Sequence, residues 1–200
     1  MIMKKALFLV CFMLFSTTVS YAQSKSLSDY LTDEEKEVTE KDLDNAFVAP
    51  SSKFIGKKWY IEKNLYNIFN ANGTLKNVQI FSDDDYGDPI EITRTISGSW
   101  KRDKQYLNLT YLAKTTTYTP NPSGLKKFSL RKQDEIKRDW ANTQKAKREY
   151  GDGHYQWELL KLTNDYMIIH NSNGRVHLFS KKKLDELYKK AAENNEESTQ

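Results

Sequence analysis

The stretch Ile90-Glu-Ile-Thr-Arg94-Thr-Ile-Ser-Gly98-Ser-Trp100 decides the fold. One phase of it holds Ile90, Ile92, Arg94, Ile96, Gly98 and Trp100. The other holds Glu91, Thr93, Thr95, Ser97 and Ser99. Side chains of an extended chain point alternately to opposite faces, so this pattern describes a strand with one face in a core and one in water. Arg94 breaks the apolar phase. A charge there is costly unless paired, and three explanations stay open: a ligand's acidic group, an internal acid, or exposure at a bulge.

The same texture extends in both directions. Short runs rich in β-branched and aromatic residues cover Lys58–Glu62, Tyr66–Asn70, Thr74–Phe81, Tyr106–Leu112, Tyr155–Leu162, Tyr166–His170 and Arg175–Lys181. Turn residues separate them, among them Asn72-Gly73, the acidic loop Asp83–Pro89 and Asn171–Gly174. Evenly spaced short strands with an Asn-Gly hairpin signal predict an all-β barrel or sandwich. In Tyr155–Leu162 the apolar phase slips between Trp157/Leu159 and Leu160/Leu162, as a β-bulge would make it do.

Two segments lie outside this pattern. Residues 113–154 form an insert with Pro120 and Pro122, then a basic helical stretch, Ser129 to Tyr150. Between Lys126 and Tyr150 nine basic residues face four acids, which suits either a solvated helix face or the docking of an acidic protein partner. Near the C-terminus, Leu184, Leu187, Tyr188 and Ala191 recur at helical spacing within Lys183–Glu193, ahead of a polar tail, 194–200, expected to be disordered.

The first 22 residues have the layout of a cleavable signal peptide. Lys4 and Lys5 precede the apolar run Ala6–Phe15, and Ser20 and Ala22 stand at the −3 and −1 places of a cut. Ten apolar residues are too few to span a bilayer, so no integral membrane span is expected and the mature chain is assigned to the periplasm or the exterior. The full chain carries +4; without Lys4 and Lys5, 29 basic residues face 27 acids, a balance that gives nucleic-acid binding little support. The cleaved segment also takes the one cysteine, Cys11, which removes disulfides and thiolate chemistry. Residues 23–52 form an acidic leader with eight acids and three lysines between Lys25 and Ala49. It is expected to be a mobile or loosely docked helical arm, dispensable for folding, or to dock on the basic insert.

Nothing in the chain points to an enzyme. His154, His170 and His177 lack metal-ligand spacing, and the acidic loop lacks the spaced carboxylates of an EF-hand. No Gly-x-Ser-x-Gly elbow and no Gly-rich phosphate loop occur. Catalytic residues, metal ligands and a cofactor are therefore all expected to be absent.

Phe54-Ile-Gly-Lys-Lys-Trp59-Tyr60 resembles the Gly-x-Trp-Tyr opening of lipocalins, with one additional residue between Gly56 and Trp59. Thr163-Asn-Asp165-Tyr166 is similar to their Thr-Asp-Tyr motif. Val176-His-Leu-Phe-Ser180-Lys181 resembles their last strand and its Ser-Arg signature. Phe69–Leu109 is also similar to the shorter lipocalin-like (calycin) domains of exported bacterial proteins. The resemblance implies an eight-stranded up-and-down antiparallel barrel over 53–193, with the helical insert and a C-terminal helix, and an interior that holds one small hydrophobic or amphipathic ligand. It also implies that Lys181 lies across Trp59 and closes one end. Trp59, Arg94, Trp100 and Tyr111 are the candidate ligand-binding residues. The alternative is an envelope protein-interaction module whose barrel is filled by its own aromatic side chains.

Overall fold

The computed structural model describes residues 26–197, and the segment 1–22 read as a signal peptide lies outside the described residues. The strands are β1 (Lys58–Glu62), β2 (Leu65–Phe69), β3 (Thr74–Asp83), β4 (Ile90–Asp103), β5 (Tyr106–Tyr111), β6 (Thr117–Pro120), β7 (Gly153–Leu162), β8 (Tyr166–Asn171) and β9 (Gly174–Phe179). Pairing runs antiparallel from β1 through β5, then β7, β8 and β9, and returns to β1 through Tyr60 and Phe179. Eight strands therefore close into the antiparallel barrel expected from the sequence, with a helix between strands and another at the C-terminus. Closure removes the sheet edges that an open sheet would leave unpaired. At the β2–β3 turn Gly73 takes φ 76°, a conformation that glycine adopts at little cost.

β4 is longer than the barrel is tall, and it changes partner half-way. Gly98 to Asp103 pair with β5, whereas Ile92 to Thr95 pair with β6, a short strand that the sequence pattern does not reveal. Gly98 marks the changeover. A Cβ at this position would stand 1.9 Å from the carbonyl oxygen of Thr110, so only glycine permits the approach. Beyond it, the far half of the β3–β4 hairpin leaves the barrel and meets helix α4 (Leu130–Arg148). Ile90, Ile92 and Ile136 are fully buried there, and Leu125 of the short helix α3 (Pro122–Leu125) packs with them. Trp140 stacks on Tyr118 at 5.0 Å and donates its indole N–H to Asp83 at 3.1 Å. The acidic loop and the helical insert thus hold each other.

The barrel interior is filled at one end only. Phe54, Trp59, Phe69, Leu75, Leu107, Leu109 and Met167 pack there with almost no exposure, and Trp100 joins Phe54 and Phe69 in edge-to-face contacts of 5.4 and 5.6 Å. The indole N–H groups of Trp59 and Trp100 donate to the carbonyls of Phe54 and Asn70. A bulge interrupts the β7–β8 register between Leu159 and Lys161. It sends Leu159 inward and Leu160 into an outer cluster with Tyr60, Ile168 and Phe179, which accounts for the phase slip in the sequence. Helix α5 (Lys181–Glu197) lays Leu184 and Leu187, both fully buried, against that outer wall. Ser180 begins the helix by accepting from the Lys183 amide and is joined to Asp165 of the Thr-Asn-Asp turn.

The expected Lys181–Trp59 contact is not made. β1, which carries Trp59, and β9, which ends at Phe179, are neighbours, but Lys181 already belongs to α5 and its ammonium pairs with Asp185 one helical turn on. The ammonium over the Trp59 ring is that of Lys57, 5.9 Å from the centroid. Lys57 is one of the two lysines in the Gly-Lys-Lys-Trp opening.

The leader is docked, and not on the basic insert. Its helices α1 (Asp33–Lys36) and α2 (Glu40–Val48) are each opened by a reciprocal capping box, Thr32 with Glu35 and Thr39 with Asp42. Ala46 is fully buried in the barrel core cluster and Leu31 in the outer one. The nearly buried Lys161 ammonium donates to the carbonyls of Glu34 and Glu37, at 3.1 and 3.0 Å, and lies 3.3 Å from Asp42. Lys183 pairs with Glu35 at 2.7 Å. Arg102 of β4 donates to the carbonyls of Ala46 and Ala49 at the end of α2. Lys161 and Arg102 sit on the barrel wall and Lys183 on the helix packed against it, where a half-buried carboxylate gains more than it would on a solvated helix. Deleting the leader would take these partners from Lys161, so the leader is packed as part of the barrel's outer surface.

Burial raises both Glu35 and Asp42, but their partners outweigh it. Lys183 and the Thr32 amide hold Glu35 below its ordinary 4.5, and Thr39 with Lys161 holds Asp42 below its ordinary 3.8. Lowered carboxyls stabilise docking fully above their unfolded values, and the gain is lost as pH falls through the lower folded ones. Amide exchange should therefore show residues 33–48 protected at pH 7 and released near pH 3, with β8 still protected. Lys161→Ala should release the same segment at pH 7 and cost about 2 kcal/mol. An unchanged exchange pattern in that variant would show that Lys161 does not hold the leader.

Candidate functional site

Opposite the packed end, the barrel is open. A cavity of about 670 Å³ runs from its mid-height to the mouth. The inward positions of the strands line it: Ile61 from β1, Asn67 from β2, Asn77 from β3, Arg94 and Ile96 from β4, Tyr111 from β5 and Trp157 from β7. The insert supplies one wall through Thr116, Tyr118, Lys147 and Tyr150. Arg148 fixes that wall by donating to the Thr116 carbonyl at 2.9 Å, and Tyr118 is hydrogen-bonded to Gln144. The helical insert is thus part of the rim.

The floor is polar and its orientation is fixed. Asn67 is fully buried, and its Oδ1 accepts from the Tyr111 hydroxyl at 3.1 Å and from the Asn77 amide at 3.0 Å. Its own Nδ2 has no acceptor among the described residues. Cross-strand pairing places Asn67, Asn77 and Ile96 in one row and Gln79 and Arg94 in the next, so the amide from β2 and the guanidinium from β4 line the same cavity one row apart. Burial pushes the Tyr111 phenol well above its ordinary value, which leaves it a neutral donor. Tyr155 meets its ring edge-on at 5.6 Å.

Arg94 is where the three explanations from the sequence separate. Its register is continuous, with Gln79 on one side and Tyr118 on the other, so no bulge turns it outward. Its Nε is buried without a hydrogen-bond partner, and no carboxylate pairs with it among the described residues. It faces the cavity instead. Tyr111 lies there as well. Trp59 and Trp100 do not, because both belong to the packed end and their indole N–H groups are already satisfied. Asn67 and Asn77 went unnoticed in the sequence. Their signal was polar residues on the inward phase of β2 and β3, the same irregularity that drew attention to Arg94.

No family model matches the chain, and no curated protein is significantly similar to it. The closed eight-stranded antiparallel barrel is compatible with a calycin or lipocalin-like fold. No group of three or more His, Cys, Asp or Glu residues that could hold a metal ion occurs among the described residues. His154 lies at the cavity rim beside Thr110, at 3.2 Å. His177 lies elsewhere, part-buried with its Nε2 unpartnered, and burial next to Arg175 and Lys36 lowers its pKa.

Two substitutions should separate floor from frame. Arg94→Leu should leave the melting temperature unchanged or raise it, since a partly dehydrated charge without a partner departs. Asn67→Leu should lower stability by about 2–4 kcal/mol, because the Tyr111 hydroxyl and the Asn77 amide both lose their acceptor. Denaturant titration of the two variants reads both effects, and the opposite order would contradict this assignment.

Proposed function

We propose that this chain is an exported lipocalin-like binding protein that carries one small amphipathic molecule in the open half of its barrel. The observation that carries the proposal is the 670 Å³ cavity, bounded by inward strand positions and roofed on one side by the insert. Sites of roughly 300–1,000 Å³ lined by aromatic and aliphatic groups with a few placed polar atoms are the usual form of a small-molecule pocket. Ile61, Ile96, Trp157 and the tyrosine rings supply the apolar contact, and Asn67, Asn77 and Arg94 supply the polar end. The reading invokes binding alone, with no bond made or broken. The signal-peptide layout of residues 1–22 supports export.

The packed end supports an interaction module only in part. Phe54, Trp59, Phe69 and Trp100 fill that half as a barrel without a ligand would require, but the row of Asn67, Asn77 and Ile96 ends the filling.

Fluorescence of the neutral probe N-phenyl-1-naphthylamine tests the cavity. The wild-type chain should enhance and blue-shift its emission with one site per chain. Ile96→Trp, which puts an indole into the cavity, should weaken binding by about tenfold or more, since a filled pocket no longer buries the probe. Equal binding by wild type and variant would place the probe elsewhere and remove the support for a barrel site.

A further inference from the structure

Within the cavity reading, charge and hydrogen-bond supply specify more than an apolar pocket. The basic groups that line the cavity are Arg94, Lys147 and His154, its tyrosines are neutral phenols, and no Asp or Glu joins them among the described residues. Two donor groups at the floor, Arg94 Nε and Asn67 Nδ2, are buried and lack an acceptor among the described residues. The acceptor of Asn67 is already occupied twice, by Tyr111 and Asn77, so this amide offers the cavity only its N–H groups. A polar site that holds donors in surplus and no carboxylate is complementary to an oxygen-rich anion.

We propose that the ligand carries a carboxylate, which binds at the floor between the Arg94 guanidinium and the Asn67 amide while its apolar body lies toward the mouth. A guanidinium presents parallel N–H groups that match the two oxygens of a carboxylate. The Asn67 amide adds a neutral donor held rigid by two hydrogen bonds behind it. A ligand that brings no acceptor leaves both donors unpaired, so neutral apolar molecules of the same shape are discriminated against. Lys147 at the rim lies 4.9 Å from the Tyr150 ring and adds positive potential at the entrance.

The proposal rests on the cavity reading, and a matched pair of probes distinguishes the two. 11-(Dansylamino)undecanoic acid and its methyl ester share one apolar body and differ in the charged group. At pH 7 the wild-type chain should bind the acid at least about tenfold more tightly than the ester, the ratio expected for a charge-assisted hydrogen bond. Arg94→Gln should bring that ratio close to one. Asn67→Asp, which keeps the shape and puts a negative charge on the floor, should bring it below one. Because a buried carboxylate at 67 can impair folding, circular dichroism accompanies both variants, and Arg94→Gln decides the matter by itself. Equal binding of acid and ester by the wild type, or an acid preference that survives Arg94→Gln, would overturn the carboxylate floor and leave the cavity standing. Binding of neither probe would overturn both.

Discussion

The structure depends on one strand that is too long for its barrel. β4 runs fourteen residues on a single alternating phase, and that phase has to be buried along its whole length. The barrel covers Gly98 and Trp100, and the insert covers Ile90 and Ile92. Between them the phase passes over a gap where neither core reaches, and Arg94 and Ile96 stand in it. Gly98 makes the division possible, since β5 closes on it as no other residue would allow, and the N-terminal half of β4 is then free to pair with β6. The cavity is what remains between two apolar cores built on one strand.

This explains why the insert is there. A β3–β4 hairpin projecting from a barrel would expose Phe81, Ile90 and Ile92, a patch prone to association. α4 covers it with Ile136 and Trp140, while Arg148 at its end holds the Thr116 carbonyl and Lys147 lines the cavity. The leader solves the corresponding problem at the other end. Ala46 joins the packed core, and Arg102, Lys161 and Lys183 receive the helix ends and the acids. Both appendages are sealed by charge or hydrogen bonding at their rims and by apolar contact at their centres.

Alternation made the strands legible, because a period of two is a property of each strand and needs no knowledge of partners, while the choice of barrel over sandwich came from the resemblance to lipocalins. The bulge in β7 was legible for the same reason. β6 was not: Thr117-Tyr-Thr-Pro120 is too short for a period, and its assignment comes from β4. The leader's docking was readable in part, since Ser-x-x-Asp, Thr-x-x-Glu and Thr-x-x-Asp recur at residues 26, 32 and 39 as capping boxes. Its seat on Lys161 depends on a side chain more than a hundred residues away. At the site, Arg94 announced itself as a charge on an apolar phase, whereas Trp59 and Trp100 were drawn in by size and prove to be filling. Lys181 shows how a local i,i+4 carboxylate redirects a cation that a family pattern would place elsewhere.

The central claim is that the gap along β4 is a place for a guest molecule and not an unfilled core. Native mass spectrometry of the chain purified from the cells that make it tests this directly. The account predicts one small acidic molecule per chain, lost when the barrel is unfolded and identifiable in the extract. A bare polypeptide mass that also fails to take up any carboxylate-bearing amphiphile offered to it would contradict the account and leave the barrel as a scaffold for its surface.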